Sequence, residues 1–174
     1  KKMTISIETG SAKPSSFLAT TKMACPPDLL ALATSSTPKP FAFVRAIGPA
    51  TLQTARDAAN AGLIVPILVG EPGIIVNDAA AVGWDLSGIE IVPAIGEREA
   101  IEESIALFTA GRVAGLAKGQ LHTDVFMGGI VKRNAGIRTG NRLLHVFALM
   151  PPAGGRPLLI SDAAVNVAPD VDTR

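Results

Sequence analysis

Two short segments of this 174-residue chain combine residue types that could bind a ligand, which for the first would be an anion. The first runs from Lys118 to Asp124, between an apolar stretch that predicts a strand and the expected start of a helix. A helix start offers unpaired N–H groups and the positive end of its dipole, and Gly119 would let the backbone approach a ligand. Lys118 would add a full charge, and the Thr123 hydroxyl could bond a phosphate oxygen. The alternative is that Thr123 only caps its helix and that Lys118 is a surface lysine.

The second segment is LISDAAVN (159–166), in which an apolar stretch ends in polar side chains. Open α/β sheets bind ligands at the carboxyl ends of their strands. Asp162 and Asn166 are four residues apart and would share a face if the segment were helical. The alternative is that Ser161 or Asp162 caps a helix and Asn166 is a turn residue.

The histidines and the cysteine extend this set of candidates only slightly. His122 lies inside the Lys118 segment and would line the same site, whereas His145 stands in an apolar stretch typical of a core strand. The two histidines are too far apart in the sequence for a metal motif, so we expect no metal site. Cys25 excludes an internal disulfide, and its two neighbouring prolines give it no feature of a reactive thiol.

Apolar runs alternate with amphipathic segments from residue 41 onward, which predicts βαβ units and a largely parallel sheet. The runs do not alternate with polar residues, which is typical of strands covered on both faces. We expect strands over 41–44, 63–69, 89–92 and 113–117 and helices over 49–61, 74–82, 97–110 and 123–134. Glycines should end the helices, Gly62 and Gly111 among them. Two further strands, 144–150 and 157–161, share a short Pro/Gly connection that favours an antiparallel hairpin attached to the sheet.

The composition narrows the class of protein. Hydrophobic residues make up 48% of the chain, enough for a sizeable core, and 16 basic residues against 15 acidic ones argue against a nucleic-acid partner. No apolar run reaches membrane-spanning length and the first residues lack a secretion signal, so we expect a cytoplasmic protein without membrane contact. The stretch 71–103 is acidic and 112–142 is basic; these are either solvated helix faces or, for the second, an anion-facing side.

The domain organisation follows from the same pattern. Residues 1–25 are rich in small polar and turn residues in their middle and are expected to be a linker or tail. Residues 26–142 are expected to form the first α/β domain, and residues 143–174 to begin a second domain or central sheet region.

Five segments in a fixed order resemble the phosphate acetyl/butyryltransferase family over residues 26–174. They are AGLIVPILVG (61–70), DLSGIEIV (85–92), KGQLHT (118–123), LHVF (144–147) and LISDAAVN (159–166). The similarity is greatest to the phosphate acetyltransferase part of bacterial proteins that also carry an enoyl-CoA hydratase domain.

The resemblance implies a three-layer α/β/α fold like that of the isocitrate and isopropylmalate dehydrogenases, with two domains, a cleft between them and a homodimer. It implies an acyltransferase that converts acyl-CoA and phosphate into acyl phosphate and CoA, by attack of the CoA thiolate on the acyl phosphate carbonyl. A general base and positive groups around the phosphate and the oxyanion would assist this attack. Coenzyme A and phosphate would be substrates, and no tightly bound cofactor is implied.

Family members are nearly twice as long, and the resemblance places their catalytic serine, arginine and aspartate beyond residue 174. It therefore implies a fragment that is inactive alone and lacks the C-terminal catalytic part. Carried over to this sequence are Lys118, Gly119 and Thr123, with His122 as a lining residue. Asp162 and Asn166 match a second cleft-lining motif, and all six are expected to bind phosphate or acyl phosphate rather than to act as bases. Leu144 departs from the family, which often has a serine there.

Two other readings of the chain remain open. One is a metal- and NAD-dependent dehydrogenase of the same fold, although the sequence has no cluster of aspartates for the metal. The other is a non-catalytic interaction or assembly fragment that exposes an apolar interface.

Overall fold

The computed structural model describes residues 27–132, 135–137, 143–149, 151 and 156–161, and the chain divides into two compact units. The larger unit is Leu30–Arg142, and the described residues from Leu143 onward belong to the other. The predicted linker, residues 1–25, lies outside the described residues, and Cys25 belongs to it. The elements, in chain order, are α1 (Pro27–Thr34), β1 (Lys39–Val44), α2 (Pro49–Asn60), β2 (Ile64–Gly70), α3 (Pro72–Ala81), β3 (Glu90–Pro93), α4 (Gly96–Thr109), β4 (Gly115–Lys118), α5 (Thr123–Val131), β5 (Val146–Leu149) and β6 (Leu158–Ser161).

The predicted alternation of strands and helices is confirmed throughout the larger unit, with boundaries that shift by at most a few residues. Helix α2 begins at Pro49, whose missing N–H costs nothing in the first turn. It is followed by Gly62 at φ +69°, and α4 is followed by Gly111 at φ +70°. These left-handed conformations suit glycine and end the helices where the sequence predicts.

Strands β1 to β4 form one parallel sheet in the order β3-β2-β1-β4. Strand β1 is central: Phe43 pairs with Leu68 of β2 on one side and with Ala117 of β4 on the other. The chain runs from β1 through β2 to β3 in one direction and then crosses back to place β4 on the far side of β1. The direction of winding therefore reverses between β1 and β4.

Helices cover both faces of this sheet, which gives the three layers expected from the apolar strands. On one face, Phe43 and Leu68 pack with Leu52 of α2 and Ile75 of α3. On the other face, alternate strand residues pack with α4 and α5, and Ile101 of α4 is 2% exposed there. A Cβ on Gly129 of α5 would lie 2.5 Å from the Ile101 side chain, so a glycine lets the two helices pack this closely. The described helices include none long and apolar enough to cross a membrane.

Strands β5 and β6 pair antiparallel, from Val146 opposite Ser161 to Leu149 opposite Leu158, which confirms the predicted hairpin. The sequence led us to expect this hairpin to be attached to the main sheet, but it forms a separate two-stranded sheet. Among the described strands, the backbone hydrogen bonds of β5 and β6 link these two strands to each other and not to β1–β4. All eight residues of the two strands are exposed, although most are apolar.

Candidate functional site

The carboxyl ends of β1 and β4 lie side by side at the point where the winding of the sheet reverses. In open α/β sheets the two flanking loops separate at such a point and leave a crevice where ligands bind. Here the flanking loops are residues 45–48, which lead into α2, and residues 119–122, which lead into α5. The Lys118 segment, chosen from the sequence, forms one wall of this crevice.

Gly119 is required for close contact between these two loops. A Cβ at this position would lie 2.4 Å from the Arg45 carbonyl oxygen and 2.7 Å from that of Val44. The Gly119 N–H donates to Val44 O at 2.9 Å, and the Gln120 N–H donates to Arg45 O at 3.0 Å. From the sequence we expected Gly119 to let the backbone approach an anion. In the structure it approaches the backbone of β1, and its N–H already has an acceptor.

Lys118 ends β4, and its side chain borders a cavity of about 210 Å³ on the α2 side of the sheet. The cavity is also lined by Phe43, Ala50, Thr51 and Thr54. The two threonines belong to the first two turns of α2, at the positive end of its dipole. A lysine, two threonines and the first turns of a helix thus border one small cavity, a combination of residue types that suits an anion.

On the opposite side of the sheet, Arg45 links two carboxylates. Its guanidinium lies 3.2 Å from Glu71 Oε1 and 3.4 Å from Glu97 Oε1, and it donates to the Gln120 carbonyl at 3.3 Å. Arg45 adopts φ +52°, the only positive φ outside glycine in the described part of the chain. A left-handed conformation costs a residue with a side chain about 1–3 kcal/mol, and the contacts of its side chain and carbonyl hold it there.

The surroundings of Glu71 favour its ionised form. Burial raises the pKa of the Glu71 carboxyl, but hydrogen bonds from the Gly96 and Glu71 backbone N–H groups and from Arg45 outweigh this and keep the pKa below its usual range. The Glu71 Oε1 atom accepts the bonds from Gly96 and Arg45, whereas Oε2 is buried and has no hydrogen-bond partner among the described residues. The Arg45–Glu71 pair therefore joins the loops that follow β1 and β2.

His122 completes this group of charged residues from the β4 side. Its Nδ1 lies 2.8 Å and 3.0 Å from the two carboxylate oxygens of Glu97, and its backbone N–H donates to Glu97 Oε2 at 3.3 Å. The two residues border a cavity of about 310 Å³ with Arg45, Gln120 and Leu121. The crevice thus has a cationic cavity at Lys118 on one side and a carboxylate–imidazole pair on the other.

The remaining candidates are placed as follows. Thr123 is the exposed first residue of α5, and the N-cap residue of this helix is His122. No side-chain hydrogen bond caps the helix, so the capping role considered for Thr123 is wrong. Asp162 and Asn166 lie outside the described residues. His145 precedes β5, packs edge-on against Phe147 with ring centroids 4.2 Å apart, and has no partner for its buried Nδ1 in the described chain. The hydrogen bond expected at Nδ1 of a core histidine is therefore absent among the described residues.

Sequence reasoning missed Arg45, Glu71 and Glu97. Arg45 directly follows a predicted strand, Glu71 lies two residues after the next one, and Glu97 begins a predicted helix; these positions were the available signal. The acidic and basic stretches also contact each other at two ion pairs: Arg112 pairs with Glu90 at 2.7 Å, and Lys132 with Glu102 at 3.6 Å. Within the described ranges, no group of three or more histidine, cysteine or acidic side chains is arranged to hold a metal ion.

Comparisons with known proteins agree on one kind of relative. A phosphate acetyltransferase from Rhizobium meliloti is 36% identical over 146 residues, which cover 84% of this chain and 46% of that protein. A phosphate butyryltransferase from Clostridium acetobutylicum is 30% identical over 120 residues, covering 69% of this chain and 40% of that protein. No family model matches the chain.

A solved structure supports the fold. A phosphotransacetylase from Staphylococcus aureus superposes with a TM-score of 0.61 at 16% identity, covering 83% of this chain and 51% of the other. At that identity the likeness extends to the fold alone. The chain spans about half the length of the curated relatives it matches.

Proposed function

Since this chain resembles phosphate acetyltransferases over 84% of its length, as its motifs predicted, we propose that it supplies part of an acyltransferase. The reaction is the reversible conversion of acyl-CoA and inorganic phosphate into acyl phosphate and CoA, with an acetyl or butyryl group as the acyl part. The sequence similarity to the Rhizobium relative is the observation that carries this proposal. Because that relative is about twice as long as the matched region, we propose that the chain is inactive without the remaining length.

Phosphate binds in the Lys118 cavity in this proposal. Lys118 neutralises one phosphate charge, and the Thr51 and Thr54 hydroxyls can donate to phosphate oxygens from α2. Thr54 now donates to the Ala50 carbonyl at 2.9 Å and would rotate its hydroxyl towards the ligand. The described residues give Lys118 no carboxylate partner, which supports a role in holding an anion rather than in a structural ion pair.

The other candidate residues are proposed to shape or line the site around the phosphate. Gly119 shapes the crevice by bringing the β4 loop against β1, His122 lines the cavity it shares with Arg45, and Thr123 follows as the first residue of α5. Asp162 and Asn166 remain proposed contributors to the acyl phosphate site on the strength of the resemblance. The same resemblance is the basis for proposing an isocitrate dehydrogenase-like domain pair, a homodimer in the cytoplasm, and CoA and phosphate as substrates rather than bound cofactors.

A thiol-release assay tests the proposal. Acetyl-CoA or butyryl-CoA is mixed with phosphate, and free CoA is followed for this chain and for a version extended to the length of the relatives. We expect turnover only in the extended protein. Turnover by the 174-residue chain alone would contradict the need for the remaining length, and no turnover by either would refute the acyltransferase assignment.

Lys118→Met in the extended protein tests the phosphate site. A hydrogen bond to a charged group contributes about 1.5–3 kcal/mol, so the KM for phosphate should rise about 10- to 100-fold. Lys132→Met is the matched control, because Lys132 is exposed and pairs with Glu102 away from the crevice. Equal effects of the two substitutions on the KM for phosphate would contradict a phosphate-binding role for Lys118.

The dehydrogenase alternative is not favoured. The relatives reported above are named for acyl transfer. A non-catalytic assembly role would predict no turnover even in the extended protein, so the same assay separates it from the acyltransferase.

A further inference from the structure

Lys118 is exposed at the carboxyl edge of the parallel sheet. Strand β4 ends at this residue, which pairs with Val44, the last residue of β1. Among the described residues, no hydrogen bond or ion pair holds the Lys118 side chain, whereas Lys132 contacts Glu102 at 3.6 Å. The flexible four-carbon stem can therefore bring the Lys118 amine to a ligand in the cavity that it borders.

The lining of this cavity, of about 210 Å³, combines polar and apolar groups. Thr51 and Thr54 carry hydroxyls that can donate hydrogen bonds, and Phe43 and Ala50 offer an apolar surface. None of the described residues that border it has a carboxylate, so an anion meets no like charge along this border. The combination suits an acyl phosphate, in which a charged phosphate is joined to a small apolar group.

An acyl phosphate is also an acylating agent, and a lysine amine is a nucleophile. One bridging oxygen separates its carbonyl carbon from the phosphorus, so an amine that contacts the phosphate is within reach of that carbon. Lysine amines attack only in their unprotonated form, which is a small fraction at neutral pH, so lysines on a protein surface react slowly. Binding that holds the carbonyl carbon beside the amine raises the effective concentration of the reactants and therefore the rate.

We propose that Lys118 is a self-acylation site, at which an acyl phosphate bound in this cavity transfers its acyl group to the Lys118 amine. This inference rests on the proposed acyl transfer, which forms the acyl phosphate. The amine nitrogen forms a bond to the carbonyl carbon, and the carbon–oxygen bond to phosphate breaks. The phosphate leaves with the electron pair of that bond and takes one proton from the nitrogen.

Acylation changes the charge of the cavity. It converts the Lys118 ammonium into a neutral amide, and Lys118 is the only cationic side chain among the described residues that line the cavity. Phosphate then keeps the two threonine hydroxyls as partners but loses the charge that neutralises it. Acyl phosphate that accumulates would therefore slow its own formation by modifying the phosphate site.

The reaction can be measured on the 174-residue chain, because every described residue that borders the cavity belongs to the larger unit. The chain is incubated with dilute acetyl phosphate, and peptide mass spectrometry follows the acetylated fraction of each lysine. Lys39 is the matched control within the same molecule, since it is also exposed but begins β1 at the opposite edge of the sheet. We expect Lys118 to be acetylated at least about tenfold faster than Lys39, and inorganic phosphate to protect Lys118 alone.

Acetic anhydride separates recognition of the phosphate from simple exposure, because it carries the same acetyl group without a phosphate. It should acetylate Lys118 and Lys39 at similar rates. Equal rates with acetyl phosphate, the same preference for Lys118 with acetic anhydride, or no protection by inorganic phosphate would overturn the proposal.

The effect on binding is measured in the protein extended to the length of the relatives. Treatment with acetyl phosphate, followed by its removal, should raise the KM for phosphate about 10- to 100-fold, as expected for Lys118→Met, because both changes remove the charge. Lys118→Arg retains a positive charge but has no amine that can be acylated, so the same treatment should leave the KM of this variant where it was. Complete acetylation of Lys118 with an unchanged KM would refute the loss of phosphate binding.

The same samples distinguish this inference from the proposed function. An active extended protein in which Lys118 is acetylated no faster than Lys39 would refute the self-acylation site and leave the acyltransferase standing. An inactive extended protein in which acetyl phosphate still acetylates Lys118 selectively would refute the acyltransferase and leave the acylation site standing.

Discussion

Replacement of Gly119 by alanine tests whether this glycine is needed for the contact between the β4 loop and β1 or only for binding a ligand. The added Cβ would lie 2.4 Å and 2.7 Å from two backbone carbonyl oxygens, and contacts below 3.0 Å essentially never occur. Neither oxygen can move away easily, because β1 pairs with a strand on each side and Val44 is fully buried. The β4 loop must therefore lift, which weakens the Gly119 and Gln120 hydrogen bonds to β1.

The magnitude follows from these two effects. Overpacking of a buried position costs about 1–3 kcal/mol and each weakened hydrogen bond up to about 1 kcal/mol, so Gly119→Ala should reduce the free energy of unfolding by about 2–4 kcal/mol. Urea unfolding of the 174-residue chain, followed by circular dichroism, measures this difference.

Gly128→Ala is the matched control for this experiment. Gly128 lies inside α5, and a Cβ there would meet no atom within 4 Å. The same chemical change should therefore increase stability, by about 0.5–1 kcal/mol, because alanine is the better helix former. If Gly119→Ala unfolds within about 0.5 kcal/mol of the parent chain, the loop is not held against β1 and the reasoning fails.

Two further predictions concern charged pairs. Because the pKa of Glu71 is lowered in the folded state, its contribution to stability is present above the unfolded pKa of about 4.5 and is lost as pH falls through the lower folded pKa. Glu71→Gln should therefore flatten the acid limb of a plot of unfolding free energy against pH. An unchanged limb would assign that limb to other groups. Arg112→Ala removes an ion pair with Glu90 in which both side chains are largely exposed. Thermal unfolding should therefore show a loss of unfolding free energy below about 1 kcal/mol. A larger loss would mean that the pair is less exposed to solvent than in this structure.

The elements of the fold were predictable because their signals are local. Apolar runs, Pro49 at a helix start and glycines such as Gly62 at helix ends each depend on a few neighbouring residues. The Lys118 segment was likewise recognised as a strand, a loop and a helix start. The sequence shows that close approach is needed at Gly119 but not to which partner, and the structure adds the contact with the β1 backbone.

The charged network was not predictable from local patterns. Arg45 is 26 residues from Glu71 and 52 residues from Glu97, and only the strand order β3-β2-β1-β4 brings the three together. Strand order depends on which helices cover which face, and no short motif specifies it. The hairpin illustrates the same limit, because its internal pairing was predictable and its placement in a separate sheet was not.

The crossing from β3 back to β4 also has a consequence for the order of folding. Strand β1 can pair with β2 as soon as α2 has formed between them, but it meets β4 only after β2, α3, β3 and α4 have been made. Contacts between distant parts of a chain form slowly because a longer loop must close first. Pulse-labelling hydrogen exchange should therefore find the Leu116 amide protected later than that of Leu68. On a chain emerging from the ribosome, the cavities at Lys118 and at His122 would therefore be completed only after β4 and the loop that follows it have joined the sheet.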